Sequence, residues 1–103
     1  MLIHSVYFWF KPASSVAVRA AFEDGLRRLC AIPDVAAAHI GVPEATPERP
    51  VIDATYDWAL ILTFADLAAH DRYQEHPVHE AFVQEFRASW DRVQVYDVRE
   101  RAR

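Results

Sequence analysis

The chain has 103 residues, of which 52% are hydrophobic and 25% charged, with a net charge of −4. That suffices for one globular domain, expected to span residues 1–103. There is no long basic cluster, which argues against a phosphate-tracking nucleic-acid surface, and no apolar run near the ~20 residues that span a bilayer.

Residues 2–10 (Leu-Ile-His-Ser-Val-Tyr-Phe-Trp-Phe) are aromatic and β-branched and read as a strand. One face carries Leu2, His4, Val6, Phe8 and Phe10; the other carries Ile3, Ser5, Tyr7 and Trp9. Both are largely apolar, so both sides should be covered, one by the chain's own helices and the other by a second subunit. Pro12 ends the strand. Ser14 or Ser15 can cap a helix to about Cys30, with Val18, Ala21, Phe22, Gly25, Leu26 and Leu29 as its buried stripe. Gly25 on that inner face leaves room for a bulky neighbour or for a ligand. Cys30 is the only cysteine, which excludes an internal disulfide and a thiolate metal cluster. It reads as a small hydrophobe near the helix end.

Ile32-Pro33-Asp34 makes a turn, and residues 35–42 read as a second strand. Residues 43–56 hold Pro43, Pro47 and Pro50 and form a long loop, a candidate lid. Residues 57–64 are a third strand, with Trp58, Leu60, Leu62 and Phe64 on one face. Asp66 can cap a short helix to about Glu75. Pro77 suits the first position of a helix, so another should start at about His76 and run to about Trp90. Residues 92–98 alternate as a fourth strand. The order β-α-β-β-α-β is the ferredoxin-like arrangement, an α+β fold with helices on one face of a four-stranded antiparallel sheet. With two glycines in the chain, phosphate-cradling loops are excluded.

His79, Phe82, Val83 and Phe86 fall at i, i+3, i+4 and i+7, which places an imidazole on the inward stripe of the proline-headed helix. His4 shares the inward face of the first strand, and Tyr73 stands two turns before His79. Two imidazoles and a phenol around one apolar pocket can transfer protons near neutral pH: one ring takes a proton while the phenol or the other ring polarises a carbonyl. A lone histidine on an apolar stripe is more often a hydrogen-bonded core residue, and for His4 or His79 taken singly that reading leads. Phe8, Phe22, Gly25 and Phe82 are the expected pocket walls. For metal, His76 and His79 are three apart with His70 and Asp71 near, but no third ligand has suitable spacing. His76 also fits a capping role. No metal and no cofactor are expected, and Ser–His–Asp catalysis has no motif here.

The segments "IHSVYFWFKP", "LCAIPDV", "YDWALILTF", "YQEHPVHEAFV" and "VYDV", in that order, resemble the stress-responsive A/B barrel domain family, a branch of the dimeric α+β barrel proteins. The resemblance covers nearly the whole chain and implies a homodimer in which two sheets close on each other. One plant branch, resembling the olivetolic acid cyclase, performs a cofactor-independent aldol closure. It uses a first-strand histidine, a tyrosine before the His-Pro-x-His segment and the second histidine of that segment; His4, Tyr73 and His79 match those positions. A tyrosine of the cyclases falls at Gly25 here, a departure from that pattern. The expected function is a cofactor-independent lyase, cyclase or isomerase. The alternative is a non-catalytic module that binds a small apolar or aromatic metabolite or answers stress. A cofactor-free monooxygenase, borrowed from cousins in the superfamily, ranks below both. With no leader pattern at the N-terminus, a cytoplasmic location is expected.

Overall fold

The computed structural model describes all residues, Met1–Arg103. The strands are β1 (Leu2–Phe10), β2 (Ala37–Gly41), β3 (Trp58–Phe64) and β4 (Trp90–Arg99). The helices are α1 (Val16–Cys30), α2 (Leu67–Glu75) and α3 (Pro77–Phe86), and a single 3-10 turn, Arg87–Ser89, leads into β4. The strands form one antiparallel sheet in the order β2-β3-β1-β4. This is the ferredoxin-like α+β fold, with all three helices on one face.

Local chemistry sets the helix starts. Ser15 is the N-cap of α1, its hydroxyl accepting the Val18 N–H at 3.1 Å; Ser14 bonds the Ser89 carbonyl instead. Asp66 caps α2 by accepting the Ala69 N–H at 2.8 Å. His76 separates α2 from α3. It precedes a proline, which forces its backbone extended (ψ 138°), and its Nδ1 accepts the Val78 N–H at 3.1 Å.

The inward face of β1 runs His4, Val6, Phe8 and Phe10, all buried, against Phe22, Leu26 and Leu29 of α1 and Phe82 and Phe86 of α3. Several boundaries differ from the sequence reading. β2 begins at Ala37 rather than residue 35, although Ala36 already donates its N–H to the Thr63 carbonyl at 2.8 Å. α3 stops at Phe86, and β4 starts at Trp90 rather than residue 92, because the 3-10 turn tightens the chain where a further helical turn was expected.

The loop between β2 and β3 lies on the far face of the sheet. The Trp9 indole N–H donates to Thr55 Oγ1 at 2.9 Å, and the Tyr56 ring stacks edge-on to Tyr7 at 5.0 Å. These contacts hold the C-terminal end of the loop, Thr55 and Tyr56, on the face opposite the helices.

Candidate functional site

β1 and β4 pair antiparallel in a register that sets His4 directly opposite Asp97. Cross-strand neighbours of this kind are close enough for their side chains to meet. The His4 Nδ1–H donates to Asp97 Oδ1 at 2.5 Å, which leaves the second ring nitrogen with a lone pair. His4 is 4% exposed, whereas Asp97 reaches solvent. Burial lowers the pKa of the imidazole below its usual value. The Asp97 hydrogen bond and charge oppose that shift, and the neighbouring His70 adds to it. Desolvation is the larger influence, so the ring is neutral at pH 7 despite its carboxylate partner.

α2 contributes two residues from one face, His70 and Tyr73, at i and i+3. The His70 ring centroid is 5.1 Å from that of His4, and the Tyr73 centroid 6.1 Å. Tyr73 is 1% exposed. Burial pushes its pKa far up, so it remains a phenol and can only donate or accept a hydrogen bond. His79 comes from the first turn of α3 and stacks edge-on to Tyr73 at 4.9 Å. Its pKa is lowered first by burial, then by the His4 and His70 imidazoles, with Glu80 opposing.

His4, Tyr73 and His79 border one hollow of about 150 Å³ between sheet and helices. Phe8, Leu60 and Phe82 form its floor and walls, and Val93 and Val95 of β4 stand at its half-exposed side. Trp90 also borders it, and Trp90 Nε1 is the one fully buried side-chain nitrogen or oxygen without a hydrogen-bond partner. The arrangement offers two neutral imidazoles and one phenol against apolar walls.

Of the expected walls, Phe8 and Phe82 face this hollow, and Phe22 and Gly25 do not. Phe22 is fully buried between Phe8, Phe10 and Phe86. The space at Gly25 is filled by aromatic rings: a Cβ there would come within 2.6 Å of Phe86 Cε2 and 3.2 Å of Phe82 Cδ2. The glycine makes room for a neighbour rather than for a ligand. His76 is spent as a cap and does not join His79 in a ligand set, and His39 is exposed on the far face of the sheet.

Sequence reasoning missed Asp97, and it noted His70 only as a residue near His76. His70 was detectable from its i, i+3 relation to Tyr73. Asp97 was not, because only the strand register pairs it with His4.

A family model described as Stress responsive A/B Barrel Domain matches residues 2–100. No curated protein matches the chain. Among solved structures, a Dabb-family protein with a ferredoxin-like fold from Mesorhizobium loti is 29% identical, with 98% of this chain and 97% of that one covered and a TM-score of 0.76. A dimeric ferredoxin-like protein of unknown function from Jannaschia sp. CCS1 is 23% identical, with 96% and 98% covered and a TM-score of 0.76. A hydroxynitrile lyase from Passiflora edulis is 18% identical, with 94% and 90% covered and a TM-score of 0.77. The last two likenesses show the fold alone.

Proposed function

Because the chain belongs to the stress-responsive A/B barrel domain family, we propose that it is a homodimeric enzyme of the lyase or isomerase kind, acting on a small apolar or aromatic carbonyl compound held between sheet and helices. The observation that carries this reading is one apolar hollow of about 150 Å³ bordered by His4, Tyr73 and His79. A dry cavity of ~150 Å³ takes up a single benzene ring.

His79 is the general base. Its neutral ring removes a proton from the carbon next to the carbonyl, and the electron pair of that C–H bond moves onto the carbonyl oxygen as an enolate. Tyr73, kept protonated by burial, donates a hydrogen bond to that oxygen. Asp97 fixes the orientation of the His4 ring, which contributes to the same polar corner. The proton then returns from the His79 imidazolium to carbon as the enolate electron pair re-forms the C–H bond, which exchanges or epimerises that position.

The homodimer accords with the far face of the sheet, where Ile3, Tyr7, Trp9, Ile61, Tyr96 and Val98 present apolar surface that no helix covers. Several neighbours of this fold are described as dimeric.

The test is exchange of the methyl protons of acetophenone in deuterated buffer, followed by NMR. The wild type should accelerate exchange above buffer. His79→Ala should lose about 10²-fold of that rate while binding acetophenone within a few-fold of the wild type. Saturable binding without accelerated exchange would assign the hollow to a binding module instead, and neither binding nor exchange would refute both readings.

A further inference from the structure

We infer that His4, His70 and Asp97 form a binding site for a single divalent transition-metal ion of the zinc type. One ligand-capable atom from each residue lies within 4.8 Å of the others. The three come from three elements, β1, α2 and β4, so the cluster exists only in the folded chain. Two imidazole nitrogens and one carboxylate oxygen are a borderline donor set. It suits zinc, and also cobalt or nickel, better than calcium or magnesium, which prefer all-oxygen shells. Three protein ligands leave a fourth position open, the pattern of reactive rather than purely structural zinc sites.

The surroundings support coordination. Zinc holds its ligands at ~2.0–2.2 Å, hence donors roughly 3.3 Å apart in a tetrahedron. The His70 nitrogen must close in from within 4.8 Å, while His4 Nδ1 and Asp97 Oδ1, now 2.5 Å apart, must open by roughly 1 Å to reach that spacing. Asp97, the exposed member, is free to make that shift. The His70 Nδ1 lies 3.1 Å from Asp71 Oδ1, the carboxylate–imidazole contact that fixes the tautomer of a metal-binding histidine. Without an ion, the His4 Nδ1–H donates to Asp97 Oδ1 at 2.5 Å, and a cation can take the place of that proton. Access is available from outside: Asp97 also borders a surface cleft of about 410 Å³ with Asp66, Leu2 and Leu67, in which Arg99 is the only basic side chain.

The site departs from the expectation of no metal, which was drawn from the spacing of His76 and His79. It goes beyond the proposed carbonyl chemistry and does not rest on it. His4 also borders the hollow, whereas His70 and Asp97 do not, so an ion here would meet the hollow's lining through His4 alone.

The test is calorimetric titration of the full chain, stripped with EDTA and exchanged into chelator-free buffer, with zinc chloride. One ion per chain should bind. His70→Gln and Asp97→Asn should each weaken binding at least tenfold, and His39→Gln and His76→Gln should leave it unchanged. Cobalt(II) should give the visible absorption of a low-coordinate site in the wild type and lose it in Asp97→Asn. Asp97 is exposed, so that variant keeps the fold, as a matching circular dichroism spectrum would show. No binding, equal affinity in His70→Gln and Asp97→Asn, or a stoichiometry that follows His39 or His76 would overturn the site. Acetophenone binding measured in EDTA reads the hollow separately, so the two ideas fail independently.

Discussion

Two of the five histidines, His4 and His79, sit where burial favours the neutral ring. Both have folded-state pKa values below the unfolded value of about 6.5. Between those two values the unfolded chain binds more protons than the native one, so unfolding free energy rises with pH across that window. The stability they contribute is present above about pH 6.5 and is lost as pH falls through it towards the lowered values. Urea midpoints of the EDTA-treated protein should therefore drop between pH 7.5 and 5.5. His79→Gln, which cannot take up that proton, should flatten the profile. A wild-type midpoint that stays level over this range would contradict the neutral assignment. The placement of the two rings was legible in the sequence, since strand and helix periodicities aim both inward. Their neutrality was not, because it depends on how completely Phe64, Phe82 and Tyr73 exclude water.

The helix boundaries set by local chemistry, Ser15, Asp66 and the His76-Pro77 junction, were readable from the chain, because a cap bonds the backbone within its own first turn. The end of α3 was not. Arg87–Ser89 carries no stop signal, and the chain tightens there because Trp90 must enter the sheet opposite Phe10. Gly25 shows the same limit. Its spacing placed it on the inner stripe of α1, but only the packed structure shows that Phe86 occupies the space. Gly25→Ala gains about 1 kcal/mol of helix propensity. Against that, a Cβ driven 2.6 Å from a fully buried ring overpacks the core, at a cost of ~1–3 kcal/mol. The net expectation is a loss of about 1 kcal/mol, a fall in Tm of ~4–8 °C. Acetophenone affinity should be unchanged, since Gly25 does not border the hollow. An unaltered or raised Tm would mean that Phe86 yields freely.

At the scale of the whole molecule, one face of the sheet is closed by helices and the other exposes Tyr96 and Val98 beside Tyr7 and Trp9. A patch of this kind on a small domain signals a partner surface. Sedimentation equilibrium should return twice the 11.8 kDa chain mass. Tyr96→Glu, which places a charge among the exposed apolar residues of that face, should return the monomer with the hollow on the other face unaltered. The first strand announced its two apolar faces in its sequence. The pairing of His4 with Asp97 stayed hidden because strand order and register are long-range properties.

The proposed function requires one hollow in which His4 and His79 meet a bound ring together. Nitrogen-detected NMR of the imidazole side chains, recorded in EDTA while acetophenone is added, addresses that directly. The ring signals of His4 and His79 should move along a single saturating curve, with those of the exposed His39 unmoved. If neither inward ring responds, or if all three drift in proportion to ligand without saturating, the hollow does not bind ligand and the function proposed for it falls.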